Sequence, residues 1–156
     1  LHDFAIFLWR DRNDPDAAAP YFDRAIPMLQ DDAVRISNYG NFVWEHRNNP
    51  DEAEKLYKQA VGIPCNTPEP FRNYASFLHI ERQEYRYADS IYHEALQRNP
   101  GDVATLVNYA RLALILGDIE ISLSCLERAL ATAPNDLNVL GAVSYTHLTL
   151  PTLYPV

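Results

Sequence analysis

The chain has 156 residues, 47% of them hydrophobic and 22% charged, which is enough apolar surface for a core, and no stretch approaches the roughly eighteen apolar residues that span a bilayer. A formal net charge of −8 argues against gripping phosphate backbones, a task for clustered lysine and arginine, so no direct nucleic-acid contact and no membrane contact are expected. Cys65 and Cys125 are read as reduced thiols, and the lack of an Asn-x-Ser/Thr acceptor agrees with a cytoplasmic or nuclear location.

Apolar periodicity and breakers place helices at 1–12, 16–29, 33–47, 51–62, 69–82, 86–98, 102–116 and 118–132. Asp14-Pro15 and Asn49-Pro50 each supply a capping side chain followed by a proline suited to a helix start. Asn99-Pro100-Gly101-Asp102 and Pro134-Asn135-Asp136 end one helix pair and cap the next. Pro64, Pro68 and Pro70 read as a stiffened turn, because Ala60 to Asn73 keeps the spacing of Ala25 to Asn38 and of Ala95 to Asn108.

Two signals recur in step. Asn38-Tyr39-Gly40, Asn73-Tyr74-Ala75 and Asn108-Tyr109-Ala110 lie 35 residues apart, and Asp3-Phe4-Ala5 extends the register backwards. Ala25, Ala60 and Ala95 share that period, each with an aromatic three positions earlier (Phe22, Tyr57, Tyr92) and an alanine seven earlier (Ala18, Ala53, Ala88). Small, large and small residues at this spacing form one helix stripe that lets another helix come close. The fourth copy carries Ser122, Leu126 and Ala129 one residue early, because Gly117-Asp118 makes a shorter turn than those near Arg12, Arg47 and Arg82. A period of this length marks units that bury their apolar faces only by stacking.

These residues resemble the tetratricopeptide repeat (TPR) family over about residues 1–142, with a proline five residues after Ala95 and Ala129 and with arginines where the turn glycine usually stands. The resemblance implies an all-α, right-handed α-solenoid of about four antiparallel helix pairs, with units of about 1–32, 33–67, 68–101 and 102–135 and a fifth-repeat stub to 142. The leucine at position 1, inside the repeat register, is read as the start of a piece of a longer array. Residues 143 to 152, VSYTHLTLPT, resemble one translated frame of a transposase adapter used in sequencing-library preparation. Residues 143–156 are therefore expected to be a non-native tail in which the helical stripe ends.

No nucleophile, phosphate loop or metal-ligand spacing appears among the histidines and cysteines, so the chain is expected to be non-enzymatic and to need no cofactor or metal. The surface of interest is one face of the first helices, which line the concave side in the family. At 100° per residue that face carries Asn38 and Asn41, then Arg72, Asn73, Ser76 and Ile80, then Asn108, Arg111 and Ile115, with Trp44 and His79 at its edge. The recurring asparagine resembles the ladder by which some arrays of the family hold a peptide backbone, and an amide's donors and acceptor suit that task. The other reading, left open, is that each asparagine bonds a neighbouring repeat and sets register.

The family's two-carboxylate clamp is not expected, because Val34, Glu69, Ala104 and Asn108 stand where cations are required. The partner is thus expected to be a protein or peptide, bound in extended form or as a helix by an interaction scaffold. Two alternatives share the groove: a substrate-recruiting arm of a larger enzyme similar to O-GlcNAc transferase, and a half-a-TPR scaffold of RNA processing.

Overall fold

The computed structural model describes residues 1–153, and all regular structure among them is helical. The helices are α1 (His2–Ile6), α2 (Pro15–Ala25), α3 (Ala33–His46), α4 (Pro50–Gly62), α5 (Glu69–Phe77), α6 (Tyr85–Arg98), α7 (Val103–Leu116), α8 (Ile119–Thr132) and α9 (Leu137–Leu153). Two compact units divide the chain, Leu1–Tyr74 and a second that begins at Ala75, so the cut falls inside α5.

Helix starts follow the capping residues in the sequence. The side chains of Asp14, Asp32, Asn49 and Asp102 each accept the backbone N–H three residues on, at 3.0–3.2 Å. Asp136 does the same for Val139 and opens α9. Each such bond satisfies a donor that the first helical turn leaves orphaned, for about 1 kcal/mol per cap. Helix ends depart more from expectation. α2 stops at Ala25 and tightens into a 3₁₀ turn over Ile26–Met28, because Pro27 has no N–H to continue the α ladder. α1 and α5 widen into π-helical turns over Phe7–Asp11 and Leu78–Arg82.

The extra residue in the first three hairpin turns adopts a left-handed conformation. Asn13, Asn48 and Gln83 have φ of 53°, 48° and 57°, and Gly117 takes the same role in the shorter turn at 83°. The arginines at 12 and 47 that precede them are right-handed, so they do not replace the turn glycine conformationally. Arg47 instead reaches back to α2. Its guanidinium donates to Tyr39 Oη at 2.9 Å and to Asp23 Oδ1 at 2.7 Å.

In the first unit the core forms where the second-helix aromatic meets the next first helix. Phe22 packs against Tyr39 and Phe42 with ring centroids 5.5 and 4.6 Å apart, and Tyr57 stacks on Tyr74 at 5.9 Å. Ala18, Ala25, Ala53 and Ala60 flank these rings and are fully or nearly fully buried. In the second unit Tyr92 meets Tyr109 at 5.6 Å between buried Ala88 and Ala95.

The helix does not end at residue 142 as the loss of the stripe suggests; α9 runs on to Leu153. Val139, Ala142 and Thr146 form a buried stripe on α9, and the hydroxyls of Thr146 and Thr149 bond back to the carbonyls of Ala142 and Tyr145. Back-bonding hides the polar atoms that make threonine look unsuited to a helix interior. The last three residues of the expected tail, 154–156, lie outside the described residues.

Two substitutions test the packing and the turns. A Cβ on Gly40 stands 2.9 Å from the buried Tyr57 ring, whose hydroxyl is tied to Asn41. Helix propensity favours Gly40→Ala by about 1 kcal/mol, whereas overpacking costs about 1–3 kcal/mol. Urea unfolding is expected to show net destabilisation of about 1 kcal/mol, and a more stable variant contradicts this packing. Gln83→Gly is expected to stabilise by about 0.5–1 kcal/mol, because glycine occupies the left-handed turn without the Cβ penalty. A lowered melting temperature would count against the turn geometry.

Candidate functional site: the first-helix face of the second unit

The candidate residues fall into two groups according to what holds them. On α3, Asn38 and Asn41 are buried, only 9% and 8% exposed. Asn41 Oδ1 accepts the Tyr57 hydroxyl at 2.7 Å, while Asn38 Oδ1 is buried with no hydrogen-bond partner among the described residues. Burial keeps the Tyr57 hydroxyl protonated to well above its usual range. On α5, Arg72, Asn73 and Ser76 are half-buried, as is Asn108 on α7.

The two half-buried asparagines each donate to a serine. Asn73 Nδ2 gives an N–H to Ser37 Oγ at 3.1 Å, and Ser37 in turn donates to the Val34 carbonyl. Asn108 Nδ2 donates to Ser76 Oγ at 3.1 Å, and Ser76 shares a 3.1 Å hydrogen bond with the Tyr92 hydroxyl. Each serine takes one N–H of an amide that has two N–H groups and a carbonyl oxygen. Trp44 is half-buried on α3, and its periodic counterpart Trp9 is buried against Phe22 and Phe42 and donates to His46 Nε2.

Arg111 behaves differently from its counterparts at the same register position. Asn41 and Ser76 are held by the tyrosine hydroxyls of Tyr57 and Tyr92 sixteen residues on. The fourth repeat has Leu126 on that stripe, which carries no hydroxyl, and Arg111 is left exposed. It makes no ion pair among the described residues.

Arg111 stands at a cavity of about 650 Å³ within the second unit, between the π-helical turn after α5 and helices α7 and α9. His79 and Ile80 come from the turn, Ile115 and Arg111 from α7, and Tyr145 from α9. Ile80 and Ile115 are 60% and 54% exposed, far more than core aliphatics in the same helices. His79 lies edge-on to Tyr85 and Tyr92, and burial, helped by the Arg111 cation, holds its imidazole below the ordinary value. Ile80 and Ile115 fall on the helical face that also carries Ser76 and Arg111, as the wheel expects, and their exposure marks them as surface rather than core.

Residues 79–144 match the family model of the tetratricopeptide repeat. That segment is similar to TPRs. No curated protein matches the sequence. Solved structures share the fold of this chain at low identity. Yeast Tom70 is 16% identical, with a TM-score of 0.75 over 97% of this chain and 32% of its own. MamA is 13% identical, with a TM-score of 0.69 over 90% of this chain and 81% of its own. The first TPR of Spaghetti (RPAP3), solved bound to the HSP90 peptide SRMEEVD, is 19% identical, with a TM-score of 0.68 over 78% of this chain and 94% of its own. Among the described residues no helix is long and apolar enough to cross a membrane, and no cluster of His, Cys, Asp or Glu could hold a metal ion.

Replacing Asn108 by Ala removes its bond to Ser76 and is expected to cost about 0.5–1.5 kcal/mol in urea unfolding. Pairing it with Ser76→Ala in a double-mutant cycle should show coupling, since the two side chains touch. Additive losses would show that the bond contributes nothing.

Proposed function

We propose that the chain is a protein-interaction scaffold that holds an extended peptide from a partner protein on the first-helix face, with the exposed Ile80 and Ile115 of the second unit as its anchoring point. The observation that carries this reading is the exposure of Ile80 and Ile115, large aliphatic side chains on the first-helix face that stand 60% and 54% in solvent. Apolar side chains left in water beside a cavity gain free energy when a partner covers them, at about 25 cal/mol per Å² removed from water. The fold shared with the peptide-bound TPR of Spaghetti supports a groove of this kind. In the second unit Asn108 gives one N–H to Ser76 and keeps a second N–H and a carbonyl oxygen for a ligand backbone, as Asn73 does in the first unit after its bond to Ser37. Arg72 and Trp44 lie in the first unit with Asn73, and His79 lies in the second with Asn108. No step of chemistry is assigned to the chain, and its partner is a protein or peptide.

The test begins with peptides selected from a displayed nonapeptide library and titrated calorimetrically against the chain. Replacing both Ile80 and Ile115 by glutamine keeps good helix formers at exposed positions and removes the apolar rim. Affinity for the selected peptides is expected to fall at least about tenfold, with helical circular dichroism and melting temperature little changed. Peptides that bind wild type and the double variant equally would place the binding surface elsewhere.

A further inference from the structure

A place on the second helices that an arginine fills in the first unit stands open in the second. We infer that the open cavity between α6 and α8 receives the arginine side chain of a partner protein, whose guanidinium joins the hydroxyl of Tyr109 and the carboxylate of Asp89. The site lies apart from the first-helix face, and the inference is independent of the groove reading above.

The filled version is seen in the first unit. Arg47, just past the end of α3, holds its guanidinium 5.7 Å from the centre of the Tyr39 ring and donates to Tyr39 Oη at 2.9 Å and to Asp23 Oδ1 at 2.7 Å. The Tyr39 hydroxyl donates to the same Asp23 oxygen at 3.3 Å, so tyrosine, carboxylate and guanidinium form one closed set. In the second unit the repeat puts Tyr109 in the place of Tyr39, and Gly117 where Arg12, Arg47 and Arg82 stand. Tyr109 still donates to a carboxylate, Asp89 Oδ1 at 2.9 Å, and no guanidinium bonds to either group among the described residues. Burial, with the Asp89 hydrogen bond, keeps the Tyr109 hydroxyl protonated well above its ordinary range, so its proton goes to Asp89 and its oxygen is left to accept.

A cavity of about 470 Å³ opens at Tyr109, with His93 and Leu96 on its α6 side and Glu120 and Ile121 on its α8 side. Leu96 and Ile121 offer aliphatic surface to a methylene stem, and Glu120 is exposed and makes no ion pair among the described residues. Arg128, also at the cavity, donates to the Pro100 carbonyl and not to Tyr109. An arginine brings an aliphatic stem, a planar head with five donors and a cation that packs on a tyrosine face. Lysine lacks the planar head, and a purely apolar side chain would cover the Tyr109 oxygen and Asp89 without a new partner, which costs free energy. The chain's net charge of −8 favours a cationic partner as well.

The experiment titrates the full, nitrogen-15-labelled chain with the N-acetyl methylamides of arginine, citrulline, lysine and leucine at millimolar concentration and constant ionic strength, followed by amide chemical shifts. The arginine probe is expected to shift amides of α6 and α8 around Tyr109 saturably and to bind at least about fivefold more tightly than the other three. Asp89→Asn keeps an oxygen that accepts from Tyr109 and removes the charge, and Glu120→Gln does the same at an exposed position. Each variant is expected to bind the arginine probe several-fold more weakly, with an unchanged helical circular-dichroism signal. Citrulline or lysine binding as tightly as arginine, or leucine binding more tightly, would show that the cavity takes a different side chain and would overturn the inference. So would arginine shifts confined to other surfaces, arginine binding indifferent to both substitutions, or no saturable binding.

Discussion

Everything in this fold depends on one packing event, the insertion of a second-helix aromatic ring between small residues so that it meets the tyrosine seventeen positions further on. Phe22 meets Tyr39, Tyr57 meets Tyr74, and Tyr92 meets Tyr109, with ring centroids between 5.5 and 5.9 Å. Alanines on either side let the helices approach, and the ring fills the space that their small side chains leave. An isolated helix pair cannot bury such a ring, because the tyrosine that covers it belongs to the next repeat. Burial of apolar area is thus shared between repeats, which is why the period in the sequence is strict where the rings stand and loose in the turns.

The turns show how that looseness is absorbed. Three hairpins hold one more residue than the fourth, and each places it in the left-handed region, where asparagine is tolerated better than most residues and glycine best. The preceding first helices widen into π turns in two cases, so the surplus residue is taken up without moving the ring that anchors the next pair. At α5 this widening carries His79 and Ile80 to the edge of a cavity, so a length difference in a turn is felt at that cavity's rim.

The polar face of the first helices is governed by the same rings, seen from their hydroxyl ends. A tyrosine at the core position reaches a polar residue on the first helix and holds it, as Tyr57 holds Asn41 and Tyr92 holds Ser76. Phenylalanine or leucine at that position cannot. The identity of a core residue in one helix therefore decides whether a polar residue on its neighbour is structural or left to solvent, and Arg111 is left to solvent because Leu126 has no oxygen.

The sequence by itself determined the helical class, the pairing, most helix boundaries to within a residue or two and the capping residues, because these rest on local periodicity and on side chains that bond a few positions away. It also determined the register, since Asn-Tyr-(Gly/Ala) and the alanine stripe recur at a fixed interval. Three things were decided only by tertiary structure. The left-handed turn residues proved to be Asn13, Asn48 and Gln83 rather than the arginines before them, because backbone conformation there depends on where the next helix must start. The helix through Val143 and Thr146 persists because buried packing and back-bonded hydroxyls outweigh weak local propensity. The asparagines could not be assigned from spacing, since an amide on a helix face bonds whichever group the adjacent helix presents, and Asn73 and Asn108 find serines at different register positions, Ser37 and Ser76. Periodicity identifies a face, and only the neighbouring helix decides which of its side chains are already taken.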